Sequence, residues 1–402
     1  MKIRKAYRYE LKPNVQQRIL LAKHAGVARF AYNWGLQRRI DMYEKDKTST
    51  NAIAQHRELN SKKTEEFPWM YEVSKCAPQE ALRDLDKAFH NFFRGIKQGN
   101  KIGFPKFKKK AGHNSFRLTG TIKVFENSVQ LPRLGEIRLK ETTKCKGQIL
   151  SATINRRADR WFVSLTVELE IVKPEQIQGP TLGIDVGLTS FFTTSENVKI
   201  NAPKPLAKNL KKLQRLSKQH SRKQKGSNNR KKSAFKLAKK HLTISNQRID
   251  FLHKHSTALT KTKSLIVVEN LKIKDMLQNQ RLSRHITDAG WGIFIRMLEY
   301  KAPWYGSKII KAPRYYPSTK TCSHCGYVRD SLPLHVRKWQ CDQCQLEHDR
   351  DVNAAINLSK LNTESSSGIY ACGDSSNEIG KKPMSYVSMK QEITNGIFVH
   401  KL

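Results

Sequence analysis

The chain is 402 residues long and carries 75 Lys and Arg against 34 Asp and Glu, a net charge of +41, with 38% hydrophobic residues. That charge excludes an ordinary metabolic enzyme, the apolar share excludes disorder throughout, and the length favours two or three packed domains. So large a positive surplus repels itself unless a polyanion lies against it, which points to nucleic acid.

Lys2 to Leu11 alternates as a strand, and Pro13-Asn14 opens a helical stretch through Val27, Phe30, Ala31, Trp34 and Tyr43. Met1 to Tyr7 is basic with no apolar segment after it, so no secretory signal is read there; the strongest apolar run, Leu265 to Val268, is strand-sized rather than membrane-spanning. A soluble, cytoplasmic protein with no membrane partner is expected. The helical pattern breaks over the polar Asp46 to Thr50 and resumes after Pro78, where Leu82, Leu85 and Phe89 share a face. Gly99 to Gly112 is a basic loop in which Phe104 and Phe107 are interleaved with Lys106 and Lys108, rings among cations suited to a single nucleic-acid strand.

From Ser115 to Glu170 short strands take over: Val129 to Leu131, Ile137 to Leu139, and a pair flanking Arg157-Ala158-Asp159-Arg160. They read as a small β-barrel or sandwich that the N-terminal strand completes, with the helical domain inserted between its strands. Ile171 to Thr181, containing Pro174, Gly179 and Pro180, is a linker. Beyond it Leu206, Leu210, Leu213 and Leu216 form one stripe, and Phe235, Ala238, Leu242, Ile249, Leu252 and Leu259 another, around the loop Ser221 to Lys232. This is an antiparallel helical hairpin. Residues 206–248 hold 15 Lys or Arg and no Asp or Glu. Solvated helix faces normally mix signs, so this surface, with Arg222, Lys223, Lys225, Arg230, Lys231 and Lys232, reads as phosphate-facing. The Ser-rich tail from Leu361 lacks periodicity and is expected to be flexible.

Two constellations carry chemistry. Cys322 and Cys325, then fifteen residues, then Cys341 and Cys344, have the spacing of two knuckles that close a tetrahedral, structural Zn²⁺ site. His324 and His335 lie nearby, but four Cys already suffice, and two disulfides would conflict with a cytosolic setting. Cys76, Cys145 and Cys372 stand alone as ordinary thiols.

The second constellation is three carboxylates. Asp185 sits in the apolar run Leu182 to Leu188, read as a strand and tight turn leading to a second antiparallel strand through Thr194. An Asp in a buried strand is costly unless paired or metal-bound, and the flanking Gly183 and Gly187 allow a phosphate to approach. Leu265 to Val268 delivers Glu269 at a strand's C-terminal end, where ligand sites concentrate. His348 to Leu358 starts a helix with Asp349 as its cap and Asp351 projecting inward from the first turn. Three such carboxylates suit two Mg²⁺ ions about 3.5–4 Å apart, an arrangement for phosphodiester hydrolysis.

The order Gly183-Ile-Asp-Val-Gly187, Val267-Val-Glu-Asn-Leu271, the paired Cys motifs, then Asp349-Arg-Asp-Val-Asn-Ala-Ala355 resembles the TnpB family, transposon-encoded RNA-guided nucleases akin to type V CRISPR effectors. Tyr32-Asn33, Gly103 to Lys108, Leu131 to Gly135, Tyr316 to Cys322 and Gly368 to Gly373 extend the resemblance over nearly the whole chain. It implies a multidomain α/β and β-barrel protein. A wedge-type barrel would comprise residues 1–12 and 101–178, and an inserted helical recognition domain 13–100. A RuvC-type, RNase H-like nuclease domain would cover 179–361, with the basic helical hairpin at 206–260, the zinc ribbon at 318–347 and a tail at 362–402. In that family's image Asp185, Glu269 and Asp351 are catalytic, Lys75 and Gln79 contact a short DNA motif, and Lys274 to Trp291 forms a lid. The partners implied are a guide RNA from the element's end and a double-stranded DNA target beside that motif, with one protein copy per RNA. Two other readings stand beside it: an RNase H-like metal nuclease or recombinase working without RNA, and a non-catalytic nucleic-acid-binding regulator, which the intact carboxylate trio opposes.

Overall fold

The computed structural model describes residues 1–100, 102–110 and 114–361; the tail 362–402, with Cys372 and Gly368 to Gly373, lies outside the described residues. All elements below belong to Met1–Lys360, one of two units into which the chain divides.

Strand β1 (Lys2–Lys12) turns Ile3, Tyr9 and Leu11 inward by simple alternation. Asn14 then caps α1 (Val15–Asp46) in a capping box: its side chain accepts from Gln17 N–H at 2.8 Å while the Gln17 side chain accepts from Asn14 N–H at 3.1 Å. A second helix, α2 (Ala52–Ser61), lies between the polar break at Asp46 to Thr50 and the resumption after Pro78, where the sequence suggested no helix. It buries only Ala52, Gln55 and Leu59, too thin a stripe to register as a period, and depends on the Asn51 cap. After a 3₁₀ turn at Pro68–Glu72, α3 (Cys76–Lys97) begins ahead of Pro78 rather than after it, because the first turn of a helix leaves the prolyl nitrogen's missing hydrogen unneeded.

Strands β2 (Ser115–Leu118), β3 (Lys123–Val124), β4 (Ser128–Leu131), β5 (Gly135–Leu139), β6 (Gln148–Arg157) and β7 (Arg160–Glu170) form with β1 a seven-stranded sheet ordered β2-β6-β7-β1-β5-β4-β3. Because β1 lies between β7 and β5, the three helices are inserted between strands of one sheet. Among the described residues no ladder joins β2 to β3. The sheet's inner residues Leu11, Ile137, Ile154 and Val163 share a single apolar cluster with Leu21, Leu36 and Leu82 of the helices, so sheet and helices rest on one core.

The second sheet comprises β8 (Thr181–Val186), β9 (Ser190–Thr194), β10 (Lys199–Asn201), β11 (Leu265–Val268) and β12 (Lys308–Lys311), ordered β10-β9-β8-β11-β12. The first three are antiparallel neighbours, whereas β11 runs parallel to both β8 and β12. Between β10 and β11 the chain leaves as α4 (Pro205–Ser221) and α5 (Asn228–Thr262), the basic hairpin. Ser227 caps α5, so Arg230, Lys231 and Lys232 lie in the first two turns of that helix, not in the connecting loop. The short α6 (Ile273–Met276) and α7 (Ser283–Ala289) precede α8 (Trp291–Tyr305), whose Phe294 joins Phe191 and Phe192 in the core under this sheet. The ribbon strands β13 (Lys338–Gln340) and β14 (Glu347–Asp349) then run straight into α9 (Arg350–Ser359). Among the described residues no helix is long and apolar enough to cross a membrane.

Candidate active site

Val268 of β11 is level with Ile184 of β8, so the next residue on each strand, Glu269 and Asp185, emerges at the same end of two parallel neighbours. Asp351 arrives from the first turn of α9, which lies on β8. Gly183 is what allows that packing: a Cβ there would stand 1.8 Å from Ala355 O and 2.6 Å from Ser359 N, both backbone atoms of α9. The space that the sequence alone would give to an approaching phosphate is therefore filled by the helix. Gly187 serves the β8–β9 turn, where a Cβ would meet Ser190 O at 2.9 Å.

Asp349 is the cap of α9, its Oδ1 accepting from Asp351 N–H at 3.2 Å and Val352 N–H at 3.1 Å while Oδ2 meets Lys199 Nζ at 2.6 Å. Burial alone would raise its pKa, but Lys199 and the two amides outweigh it and hold the carboxyl below the usual range. With Asp349 so engaged, Asp351 meets Arg337 of the ribbon, Nη1 to Oδ1 at 3.4 Å.

Asp185 is pushed well above the ordinary carboxyl range, first by burial and then by the negative charges of Glu269 and Asp351, with Arg350 and Arg337 opposing. Glu269 is raised by burial. Glu269 and Asp351 both lie within electrostatic reach of Asp185, with Arg350 and Arg337 beside them, and an all-oxygen donor set suits hard divalent cations.

The four ribbon thiols lie within 4.8 Å of one another, with Cys322 to Cys344 and Cys325 to Cys341 each 3.6 Å between sulfurs. Tetrahedral zinc at about 2.3 Å from each sulfur would set them about 3.8 Å apart, so the thiols fit that ion, whereas disulfides need about 2.05 Å. The cluster includes neither His324 nor His335. His348, which no sequence pattern singles out, is buried with Nε2 3.0 Å from Cys322 Sγ and its ring 4.8 Å from that of Trp339. Its only sequence signal is adjacency to Asp349.

The nucleic-acid candidates separate into outward and inward groups. Lys75 is exposed at the start of α3, and Gln79 lies one turn on in a depression with Ala52, Ile53, His56 and Arg83. His56 is held below its usual pKa by burial, then by Arg83, Lys63 and Lys75, so positive charge concentrates there. The basic loop is anchored by the Tyr32-Asn33 pair. Asn33 accepts from Lys108 N–H at 2.8 Å and donates to Lys108 O at 3.0 Å, while Lys108 Nζ lies 3.8 Å over the Tyr32 ring. Phe104 packs edge-on against Phe89 and Phe92, 5.4 Å from each, yet stays as exposed as Phe107, and Lys106 and Lys108 are exposed beside them.

In the hairpin Arg222, Lys223, Lys225, Lys231 and Lys232 are exposed. Arg230 instead turns back, Nη1 donating to Lys223 O at 2.6 Å and His220 O at 3.3 Å, and so braces the turn. Lys239 pairs with Asp159 at 2.6 Å, and Arg156 lies 5.4 Å over the Phe235 ring, docking the hairpin on the β6–β7 turn.

A family model described as "Probable transposase" matches residues 164–280, and one described as "Cas12f1-like, TNB domain" matches 291–358. A model described as "Helix-turn-helix domain" matches 1–48, where this structure has one strand and a single 32-residue helix, α1. A Streptomyces pristinaespiralis protein named "Putative RNA-guided DNA endonuclease" is 37% identical over 379 residues, 92% of each chain. "Putative RNA-guided DNA endonuclease InsQ" of Escherichia coli K12 is 31% identical over 396 residues, 93% of this chain and 95% of that one. The cryo-EM structure of a Cas12f1-sgRNA-target DNA complex is similar in fold, with a TM-score of 0.56 at 14% identity over 90% of this chain and 99% of that chain.

Proposed function

The chain belongs to the TnpB family of RNA-guided DNA endonucleases, and from that premise we propose that it cuts DNA at the Asp185, Glu269 and Asp351 site, directed by a guide RNA from its element and beside a short DNA motif. The observation that carries this reading is the convergence of the three carboxylates from β8, β11 and α9, with Glu269 and Asp351 both acting on the charge of Asp185. The place of Asp185 and Glu269 at the same end of the parallel strands β8 and β11, in a β10-β9-β8-β11-β12 sheet, supports a RuvC-type, RNase H-like nuclease domain. The seven-stranded sheet would be the wedge, α1–α3 the recognition helices, and 274–291, spanning α6 and α7, the lid.

Asp185, Glu269 and Asp351 would hold two Mg²⁺ ions, which when bound supply an activated water and charge stabilisation for the departing 3′ oxygen. The chain's own groups set the stage. Burial raises the pKa of both Asp185 and Glu269, so a cation bound there would favour the ionised forms against that cost. Asp349 and Lys199 fix the first turn of α9 and leave the Asp351 carboxylate to the site. Arg337 and Arg350 supply positive charge beside it. Guide pairing would select the target while Lys75 and Gln79 contact the motif. Phe104, Lys106, Phe107, Lys108 and the exposed hairpin cations would take backbone phosphates and bases. The ribbon thiols would hold one Zn²⁺ as a closed structural centre.

The test is to express the protein with its flanking element DNA, sequence the RNA that co-purifies, and challenge the complex with Mg²⁺ and a plasmid carrying a matching target beside randomised flanks. Cutting at the matched site that disappears in Asp185→Ala supports the proposal and reads out the motif. Indiscriminate cutting by RNA-free protein would replace it with an RNA-independent nuclease, and activities untouched by Asp185→Ala would replace it with a non-catalytic regulator.

A further inference from the structure

Helix α9 reaches the ribbon through two asparagines one turn apart. Asn353 is 1% exposed and Asn357 3% exposed, and both donate from Nδ2 into the same two carbonyls. Ser318 O lies 3.3 Å from Asn353 and 2.8 Å from Asn357; Thr321 O lies 2.8 Å and 2.6 Å away respectively. Asn353 Oδ1 also accepts from Ser323 N–H at 2.8 Å, and Lys360 Nζ donates to Ser323 O. Ser323 lies inside the first knuckle, between Cys322 and Cys325, and Thr321 immediately precedes Cys322. The peptide groups on either side of a metal-binding thiol are thus held by side chains of the helix that carries Asp351.

A buried primary amide is costly unless it is hydrogen-bonded; here both Nδ2 groups are met by Ser318 O and Thr321 O, which lead into the knuckle, and Asn353 Oδ1 by Ser323 N–H inside it. Apolar side chains at the same positions would press α9 onto the ribbon but leave it free to slide or roll. Directed hydrogen bonds set both its height and its rotation. The other end of the helix is tied to the ribbon as well: Arg350 N–H donates to Arg337 O at 2.8 Å, and Arg350 Nη1 donates to Pro333 O at 2.6 Å. On the sheet side α9 rests on Gly183, which offers contact but no side chain to orient it.

We propose that Asn353 and Asn357 are positioning residues through which the first knuckle sets the pose of Asp351. The zinc ribbon is then a frame for the active site in addition to any contact it makes with nucleic acid. The inference rests on the reading of Asp351 as a cation-holding carboxylate. It makes the ribbon and the site interdependent: disturbing the amides leaves every candidate metal ligand in the chain yet displaces one of them.

The experiment compares Asn353→Asp, Asn357→Ser and Asp351→Ala with the parent, each as the complete chain with its guide RNA. Asn353→Asp keeps the shape of the side chain and the acceptor for Ser323 but puts oxygen against two carbonyls; Asn357→Ser shortens the second clamp and adds no charge. Three quantities are read: target binding without Mg²⁺, zinc release to a chromogenic chelator, and the Mg²⁺ concentration giving half-maximal cutting. Both clamp variants should bind target like the parent, release zinc about tenfold faster, and need about tenfold more Mg²⁺, the usual effect of losing an outer-shell partner. Clamp variants that bind target, release zinc and respond to Mg²⁺ as the parent does, while Asp351→Ala is inactive, would overturn the clamp and leave the site reading intact. An Asp351→Ala that cuts normally would instead overturn the site reading. Should Asn353→Asp fail to fold, Asn357→Ser decides by the same three readouts.

Discussion

Asp288 holds Arg248 at two points, its carboxylate meeting Nη2 at 3.0 Å and its backbone carbonyl accepting from Nε at 2.8 Å. The same carboxylate accepts from Leu206 N–H at 3.0 Å and Ala207 N–H at 3.1 Å, and so caps α4, whose own cap residue, Lys204, offers no side-chain bond. One buried acid near the end of α7 therefore ties the start of the basic hairpin and the body of α5 to the segment proposed as a lid.

Replacing Asp288 by Ala strands the Arg248 charge and uncaps α4. The expected loss is about 3 kcal/mol in urea unfolding, with Asp288→Asn losing less because the amide oxygen can still accept. A change below about 1 kcal/mol would show the junction to be incidental.

The charge of Asp185 should work against the fold when no cation is present. Its folded pKa is raised, so the contribution is favourable below the unfolded carboxyl pKa and is lost as pH rises through the folded value. Asp185→Asn should therefore melt a few degrees higher than the parent in metal-free buffer near about pH 8, with the advantage shrinking as the buffer approaches about pH 4. In the parent, the Mg²⁺ needed for half-maximal cutting should climb as pH falls, since protons compete for the same oxygens. Equal melting temperatures near about pH 8 would refute the charge-repulsion account.

Gly183→Ala probes the approach of α9 to β8. With backbone atoms of the helix in the way, relief requires the whole element to move, so a loss of about 2 kcal/mol or more is expected along with the loss of cutting. A variant that melts and cuts like the parent would mean that α9 does not press on β8 at Gly183.

The hairpin cations should divide by direction. Neutralising Arg222, Lys223, Lys225, Lys231 and Lys232 should weaken RNA and DNA binding and reduce the slope of log affinity against log salt by about one for each phosphate left unneutralised. Arg230→Ala should leave that slope nearly unchanged and instead loosen the turn, detectable as faster amide exchange around His220 and Lys223. A slope unaffected by the five-site variant would remove the phosphate-facing role.

What the chain's sequence determined by itself was whatever depends on near neighbours. The Cys322-Cys325 and Cys341-Cys344 spacings follow from the geometry of one ion; Asp349 was legible as a cap because capping is decided within three residues; four apolar residues before Glu269 announced a strand end. The leucine stripes of the hairpin and the charge of its surface were equally local. Tertiary structure decided what depends on a distant backbone. Gly183 yields its space to Ala355 rather than to phosphate, and Arg230 turns toward carbonyls that the hairpin itself creates. His348 carries no pattern of its own until β14 sets it beside Cys322, and α2 is too sparsely apolar to show a period. Asp185, Glu269 and Asp351 were each readable as residues worth explaining. Their meeting required two parallel strands in register and a helix pressed onto one of them, a convergence that hydrogen-bond ladders and packing specify and no local motif contains.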